Sequence, residues 1–322
     1  MTIESGYRMY KTAAVLAFIT WTAAAAFSFP AAAQGEDVPE NYIQEQVHIT
    51  VPGMEGSSRI LWVSDMHVCC YPDDPDVNED SRQALQERYE FLRDQAGVPS
   101  TENWDLLSSR IDSFDADYVV FGADMADYAS EANLKALQEG MSKIQTPWMY
   151  IRADHDYARW YGSMGLKRMR KLHRQIAPQD PIKAVRFDDF TLVGLDNTTT
   201  AVSEETLQQF SGICEEGRPV ILCMHVPLDQ PDARDGDTLA AASRAAWDDR
   251  VLCWGDGDEY DISSYSTMKQ LYDIVCAPDS SVIAVLAGHL HLTWDGELTP
   301  SCREHVFSAA YEDYIGLITV SG

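Results

Sequence analysis

Five times along this chain an apolar run of strand length stops and an Asp or His follows at once. Ile60-Leu61-Trp62-Val63-Ser64 runs into Asp65-Met66-His67, and Tyr118-Val119-Val120-Phe121-Gly122-Ala123 into Asp124-Met125-Ala126-Asp127. Met149-Tyr150-Ile151-Arg152-Ala153 runs into Asp154-His155-Asp156, Val220-Ile221-Leu222-Cys223-Met224 into His225, and Val282–Ala287 into Gly288-His289-Leu290-His291. Runs this uniformly apolar suit strands buried on both faces. Between them lie helical patterns, Glu79–Asp94, Trp104–Phe114, Glu131–Ile144 and the basic Leu166–Gln175. Val47–Val51 reads as a first strand, and Ala184–Phe187 with Thr191–Leu195 as a hairpin around Asp188-Asp189. Val306–Ala309 and Ile315–Val320 close the chain as strands. This order predicts an α/β fold with mixed sheets inside and helices outside.

In such folds ligands sit at the carboxyl ends of strands, so the five sets can converge in one place. One Asp or His alone is an ordinary turn or capping residue. Five in series, mixing carboxylate with imidazole and lacking thiolate, make a donor set suited to Mn, Zn, Fe or Mg.

The order and spacing resemble the calcineurin-like metallophosphoesterase family, whose motifs are D-x-H, G-D-x-x-D, G-N-H-[DE], H and G-H-x-H. The likeness runs from Arg59 to Val320. It implies a four-layer α/β/β/α sandwich with a two-metal centre at the strand ends. By position, Asp65, His67 and His291 would hold one metal and Asp154, His225 and His289 the other, with Asp124 bridging. His155 would be the catalytic histidine, acting as general acid, and Asp127 its orienting carboxylate. Asp156 and Arg152, at the same strand end, are weaker candidates for supporting ligands or meeting substrate. The chemistry implied is phosphoester hydrolysis by a metal-bridged hydroxide, with His155 protonating the leaving alkoxide. The substrate would be a small phosphomonoester or phosphodiester. Two other functions share this scaffold: a non-catalytic exported metal-binding protein, and an exported nuclease.

The chain departs from the family pattern in several places. Ala123 and Ala153 stand where Gly is usual, and Tyr128 stands where protein Ser/Thr phosphatases of this superfamily carry Arg. Asp154 replaces Asn. Three carboxylates, two divalent ions and one hydroxide then sum to zero, where Asn would leave +1. A trivalent ion such as Fe(III) in one position, or a preference for singly charged diesters, would answer that deficit; the alternative is that Asp is simply tolerated as a hard oxygen ligand.

Composition narrows the partners. With 51 Asp+Glu against 24 Lys+Arg, the net charge of -27 opposes affinity for nucleic acid and docking on anionic lipid. The exception is Leu166–Gln175, whose cations could steer an anionic substrate. Arg8 and Lys11 precede the uncharged run Thr12–Phe29 and then Pro30-Ala31-Ala32-Ala33, which reads as a signal peptide over 1–33 or, uncleaved, an anchor. The rest is therefore expected outside the cytoplasm: a flexible leader over 34–46, then the catalytic domain over 47–322 with an acidic insertion around 228–280. That insertion carries Trp247, Trp254, Tyr260 and Tyr265 and is expected either to rim the site or to form an excursion stapled by Cys253 and Cys276. Seven cysteines leave at least one thiol without an intramolecular partner. Gly255-Asp256-Gly257-Asp258-Glu259 fails the EF-hand pattern, and the sequence leaves the oligomeric state open.

Overall fold

The apolar runs form strands whose alternate residues feed two different cores. In the computed structural model, which describes residues 42–322 apart from 76, 163, 179, 198–200 and 230–237, eleven strands form two mixed sheets. The first sheet has the order β1 (Ile43–Thr50), β11 (Tyr314–Ser321), β2 (Ser57–Val63), β3 (Tyr118–Gly122), β4 (Trp148–Ile151). The second has the order β5 (Ile182–Arg186), β6 (Thr191–Leu195), β7 (Val220–Cys223), β8 (Val282–Ala287), β10 (Cys302–Val306), β9 (Trp294–Thr299). Strands β2, β3 and β4 run parallel, as do β6, β7 and β8.

Ile60, Trp62, Val120, Met149 and Ile151 meet Leu192, Ile221, Cys223, Ala284 and Leu286 between the sheets. Their sequence neighbours Leu61, Val63, Val119, Phe121 and Tyr150 point to the opposite face. There they pack under α1 (Arg82–Phe91), α2 (Ser100–Ser108), α3 (Glu131–Met141) and α5 (Leu166–Ile176). On the far side Val193, Leu195, Leu222 and Val285 pack under α6 (Glu204–Glu215) and α8 (Ser266–Val275). The layers are therefore α/β/β/α. Helix α3 shows how local sequence serves this arrangement. Ser130 caps it by accepting from Asn133 N at 3.1 Å, and Leu134, Leu137 and Met141 fall on one buried face. Burying each such side chain contributes roughly 1.5–3 kcal/mol.

Several boundaries differ from the sequence expectation. Residues 1–33, expected as a signal peptide or anchor, and residues 34–41 lie outside the described residues. Residues 43–46, expected in the leader, are strand: β1 is an edge strand paired only with β11, and Gln44, Glu45 and Gln46 hide its alternation. Polar β9, also an edge strand, was missed for the same reason. The helix expected over Trp104–Phe114 breaks after Ser108, where the hydroxyls of Ser108 and Ser109 bond back to Asp105 O, and a 3-10 turn carries Ile111 and Phe114 onward. The acidic stretch around 228–280 is shorter as an excursion than expected, because α8 within it belongs to the outer layer. It also carries α7 (Leu239–Ala246), and Trp254 is core. All seven cysteines are free thiols, so Cys253 and Cys276 form no staple.

Glu45 supplies a stability prediction. Burial, only partly offset by the Ser308 N–H, pushes its carboxyl up to about 7. A raised acid favours the protonated folded state, so its stabilising contribution is full below pH 4.5, declines as pH rises to about 7 and is flat above. Melting temperature followed against pH should lose this slope in Glu45→Gln.

Candidate metal centre

All five strand-end sets meet at the carboxyl end of the two parallel trios. The loop after β2 runs beside the loop after β3: Asp65 N donates to Ala123 O at 3.0 Å, His67 N to Asp124 O at 2.9 Å and Val68 N to Met125 O at 2.8 Å. The second sheet joins through His225, whose Nδ1 contacts Gly122 O at 2.9 Å, and through His289, whose N–H donates to both Asp65 carboxylate oxygens at 3.2 and 3.1 Å. Gly288 is required for this approach, since a Cβ there would stand 2.4 Å from Asp65 Oδ2.

Three sets of donor atoms result, each within 4.8 Å of one another: Asp65 with His67 and His291, His67 with Asp124 and His155, and Asp124 with His225 and His289. Asp154 is half-buried at the start of α4 (Asp154–Tyr157) and joins none of these sets, although its charge acts on Asp124. His225 Nε2, His289 Nε2 and Asp124 Oδ1 are buried without hydrogen-bond partners. Buried polar atoms left unmet are costly, and imidazole nitrogens facing carboxylate oxygens in this way fit metal ions.

Electrostatics divide the histidines. Burial opposes charge on His225, yet Asp124 and Asp65 beside it lift its pKa to about 10. His155 is likewise opposed by burial but raised to about 9 by Asp124 and Asp127. Burial takes His67 down to about 3 despite Asp127, and His289 well below the usual range. Burial would raise Asp65, but His225, His291 and His67 around it hold it well below the ordinary carboxylate value. The His155 ring is oriented chiefly by the Asp127 main chain: Nδ1 lies 2.8 Å from Asp127 O and 3.5 Å from Asp127 Oδ1.

Asp156 and Arg152 are braces. Asp156 is fully buried and accepts from Asp124 N, Ala126 N, Ala153 N and Tyr150 Oη at 3.1, 3.0, 2.9 and 2.6 Å. Arg152 Nη2 donates to Ala177 O and Pro178 O, tying down the end of α5. Tyr128 donates to Asp74, and both are buried, so one carboxylate of the acidic stretch Asp73-Asp74 is turned inside.

Two residues at the site went unread in the sequence. Asn197 Oδ1 accepts from His225 N and Val226 N at 3.2 and 3.1 Å. Its signal was available, because Thr191–Leu195 also runs straight into Asp196-Asn197. The other, Arg88 of α1, contacts Asp127, and no motif marked it. Aromatic rings surround the cluster. Trp160 stands edge-on to His155 with centroids 4.7 Å apart, Trp247 to His291 at 5.4 Å and Tyr260 to His289 at 5.6 Å.

Six of the eleven non-glycine residues at positive φ among those described are at this site: Asp65, His67, Ala123, Asp124, His289 and His291. Strain concentrated at a cluster of potential ligands is what a pre-formed site requires. The two alanines standing for glycine therefore differ. Ala123 has φ 81, whereas Ala153 is extended at φ -123. At position 123 glycine would relieve roughly 1–2 kcal/mol of left-handed strain, against about 0.8 kcal/mol for a lost buried methyl. Urea denaturation should show Ala123→Gly unchanged or stabilised by up to about 1 kcal/mol and Ala153→Gly destabilised by about 0.8 kcal/mol for its lost buried methyl; equal losses would contradict the assigned strain.

The sequence model for the calcineurin-like phosphoesterases matches residues 58–292, and the chain belongs to that family. It is a metallophosphoesterase, a hydrolase whose family and clustered donors indicate a binuclear metal centre. Among solved structures it is similar to a dimetal phosphatase from Danio rerio, with 14% identity, 79% of this chain and 88% of that one covered, and a TM-score of 0.45. A purple acid phosphatase from yellow lupin seeds shares 10% identity over 79% of this chain and 44% of its own, with a TM-score of 0.45. A putative 5'-nucleotidase from Staphylococcus aureus shares 12% over 79% and 49%, with a TM-score of 0.44. No curated protein matches the chain at a significant level.

Proposed function

We propose that the chain hydrolyses small phosphoesters outside the cytoplasm, with His155 donating a proton to the leaving group. The observation that carries this is the meeting of three donor sets around unpartnered imidazole and carboxylate atoms, with His155 held at their edge. Asp65, His67 and His291 would hold one metal ion, His225 and His289 the other, and Asp124 would face both. Asp154 would complete the second position from its half-buried place beside Asp124. Ions such as Mn, Zn or Fe would polarise phosphoryl oxygens there and lower the pKa of water. The Nδ1–H of His155 donates to Asp127 O, which leaves Nε2 for the leaving oxygen and keeps the ring in one tautomer. The carboxylates Asp124 and Asp127 favour its protonated form, the state a general acid needs at neutral pH. Export rests on the Arg8–Ala33 pattern and is checked by sequencing the N-terminus of the mature protein.

The test is release of nitrophenol from mono- and bis-nitrophenyl phosphate by protein stripped with chelator and reloaded with Mn²⁺. Turnover should vanish on stripping and return on reloading; absence of metal-dependent turnover on both esters would count against the reading. The extra negative charge of Asp154 favours singly charged diesters, so Asp154→Asn should raise the monoester-to-diester ratio several-fold, about 1 kcal/mol of discrimination. An unchanged ratio would leave Asp154 as a tolerated ligand with no part in selectivity.

A further inference from the structure

Helix α1 reaches the site through one side chain. Arg88 Nε and Nη2 donate to Asp127 Oδ1 at 2.8 and 2.7 Å, and Nη2 stands 3.5 Å from His67 Nδ1. The same carboxylate oxygen lies 3.2 Å from His67 Nδ1 and 3.5 Å from His155 Nδ1. Asp127 is completely buried, so this is not the exposed ion pair that contributes little. It is a charge-assisted fork in a low-dielectric setting, where removing one partner leaves the other stranded.

The rest of the guanidinium has no such employment. Nη1 bonds to nothing among the described residues, and Arg88 keeps 26% of its side chain open to solvent. Among the described residues, Arg88 is also the one Lys or Arg that forms an ion pair with a carboxylate of the cluster; the others around it, Asp65, Asp124 and Asp154, add only negative charge. The position after the G-D-x-x-D motif offers no cation, since it holds buried Tyr128 with its hydroxyl on Asp74.

We propose that Arg88 positions the site and binds phosphoryl: two N–H groups hold Asp127 against His67 and His155, and Nη1 donates to a non-bridging phosphoryl oxygen. This rests on the phosphoesterase reading above. An arginine suits both tasks because its planar fork serves two partners at once, whereas a lysine ammonium is a single point donor.

The test uses the full chain loaded with Mn²⁺ as wild type, Arg88→Ala and Arg88→Lys. Metal content, melting temperature, orthophosphate affinity by calorimetry and kcat/KM on mono-nitrophenyl phosphate are measured for each. At unchanged metal content, Arg88→Ala should bind orthophosphate about tenfold more weakly and lose about 10²-fold in kcat/KM, as when one preorganised donor is removed. Arg88→Lys should recover only part of each. Millimolar guanidinium should restore activity to Arg88→Ala and none to His155→Ala. Wild-type phosphate affinity in Arg88→Ala at equal metal content overturns the phosphoryl contact, whatever happens to kcat. Should Arg88→Ala fail to fold, Arg88→Lys carries the comparison, and wild-type affinity there overturns it equally. A metal-loaded wild type that neither binds orthophosphate nor turns over defeats the phosphoesterase reading along with this one; a loss confined to the variants leaves both standing.

Discussion

Replacing His155 with alanine lowers kcat by about 10²–10⁴-fold while the metal content stays at the wild-type level, the range expected when a positioned proton donor is lost. His155 keeps 20% of its side chain exposed to solvent, while its Nδ1 is committed to the Asp127 carbonyl. Loss of the ring removes the proton but leaves Asp65, His67, Asp124, His225, His289 and His291 in place. The wild-type pH profile gives a second reading of the same group. The proton is held below about pH 9 and lost above it, so kcat falls on the alkaline side. Bound cations would move that limb lower, never higher. His155→Ala should have no such limb, and a limb persisting in the variant would assign the acid to another residue.

The largest effect on stability is expected from Asp156→Ala, which should cost roughly 3 kcal/mol or more, because several buried donors lose their acceptor together. The carboxylate gathers main-chain N–H groups from the loop after β3 and from the turn before α4, together with the Tyr150 hydroxyl. The position has no exposure, so bulk solvent does not reach the donors it leaves. Asp156→Asn should be intermediate, since its amide retains one acceptor oxygen and turns two donors toward N–H groups. Because Asp124 N is one of the donors, metal affinity should fall with stability in both variants. Urea unfolding that shows a loss below about 1 kcal/mol for Asp156→Ala would mean the turn is held elsewhere.

What was legible in the sequence was legible for a physical reason. Strands buried on both faces have no polar residues to blur them, so Ile60–Val63, Tyr118–Phe121 and Val282–Ala287 stood out, and the residues after them are the ones the fold gathers. Edge strands failed this test. β1 and β9 are paired on one side and alternate weakly, which displaced the leader boundary and hid β9 entirely. The break after Ser108 was hidden because Ile111 and Phe114 keep their buried spacing through the 3-10 turn. Arg88 was illegible for another reason: charge is spread around much of α1, so nothing in its pattern separates the arginine that turns inward from those facing water. Asp154 shows the limit of motif transfer, since its position matches the motif but its side chain stands outside the three donor sets.

The placement of β11 bears on how the chain can be made. The last strand lies between β1 and β2, parallel to the first and antiparallel to the second. A nascent chain that has released β1 to β4 therefore has a gap in its first sheet that only residues 314–321 fill. The donors follow the same schedule, for Asp65 and His291 are separated by 226 positions in the sequence. Contacts this distant in sequence make for slow, late closure. Synthesis must therefore pass residue 321 before sheet and donor cluster close together, and removal of residues 313–322 should cost both rather than leave a working half.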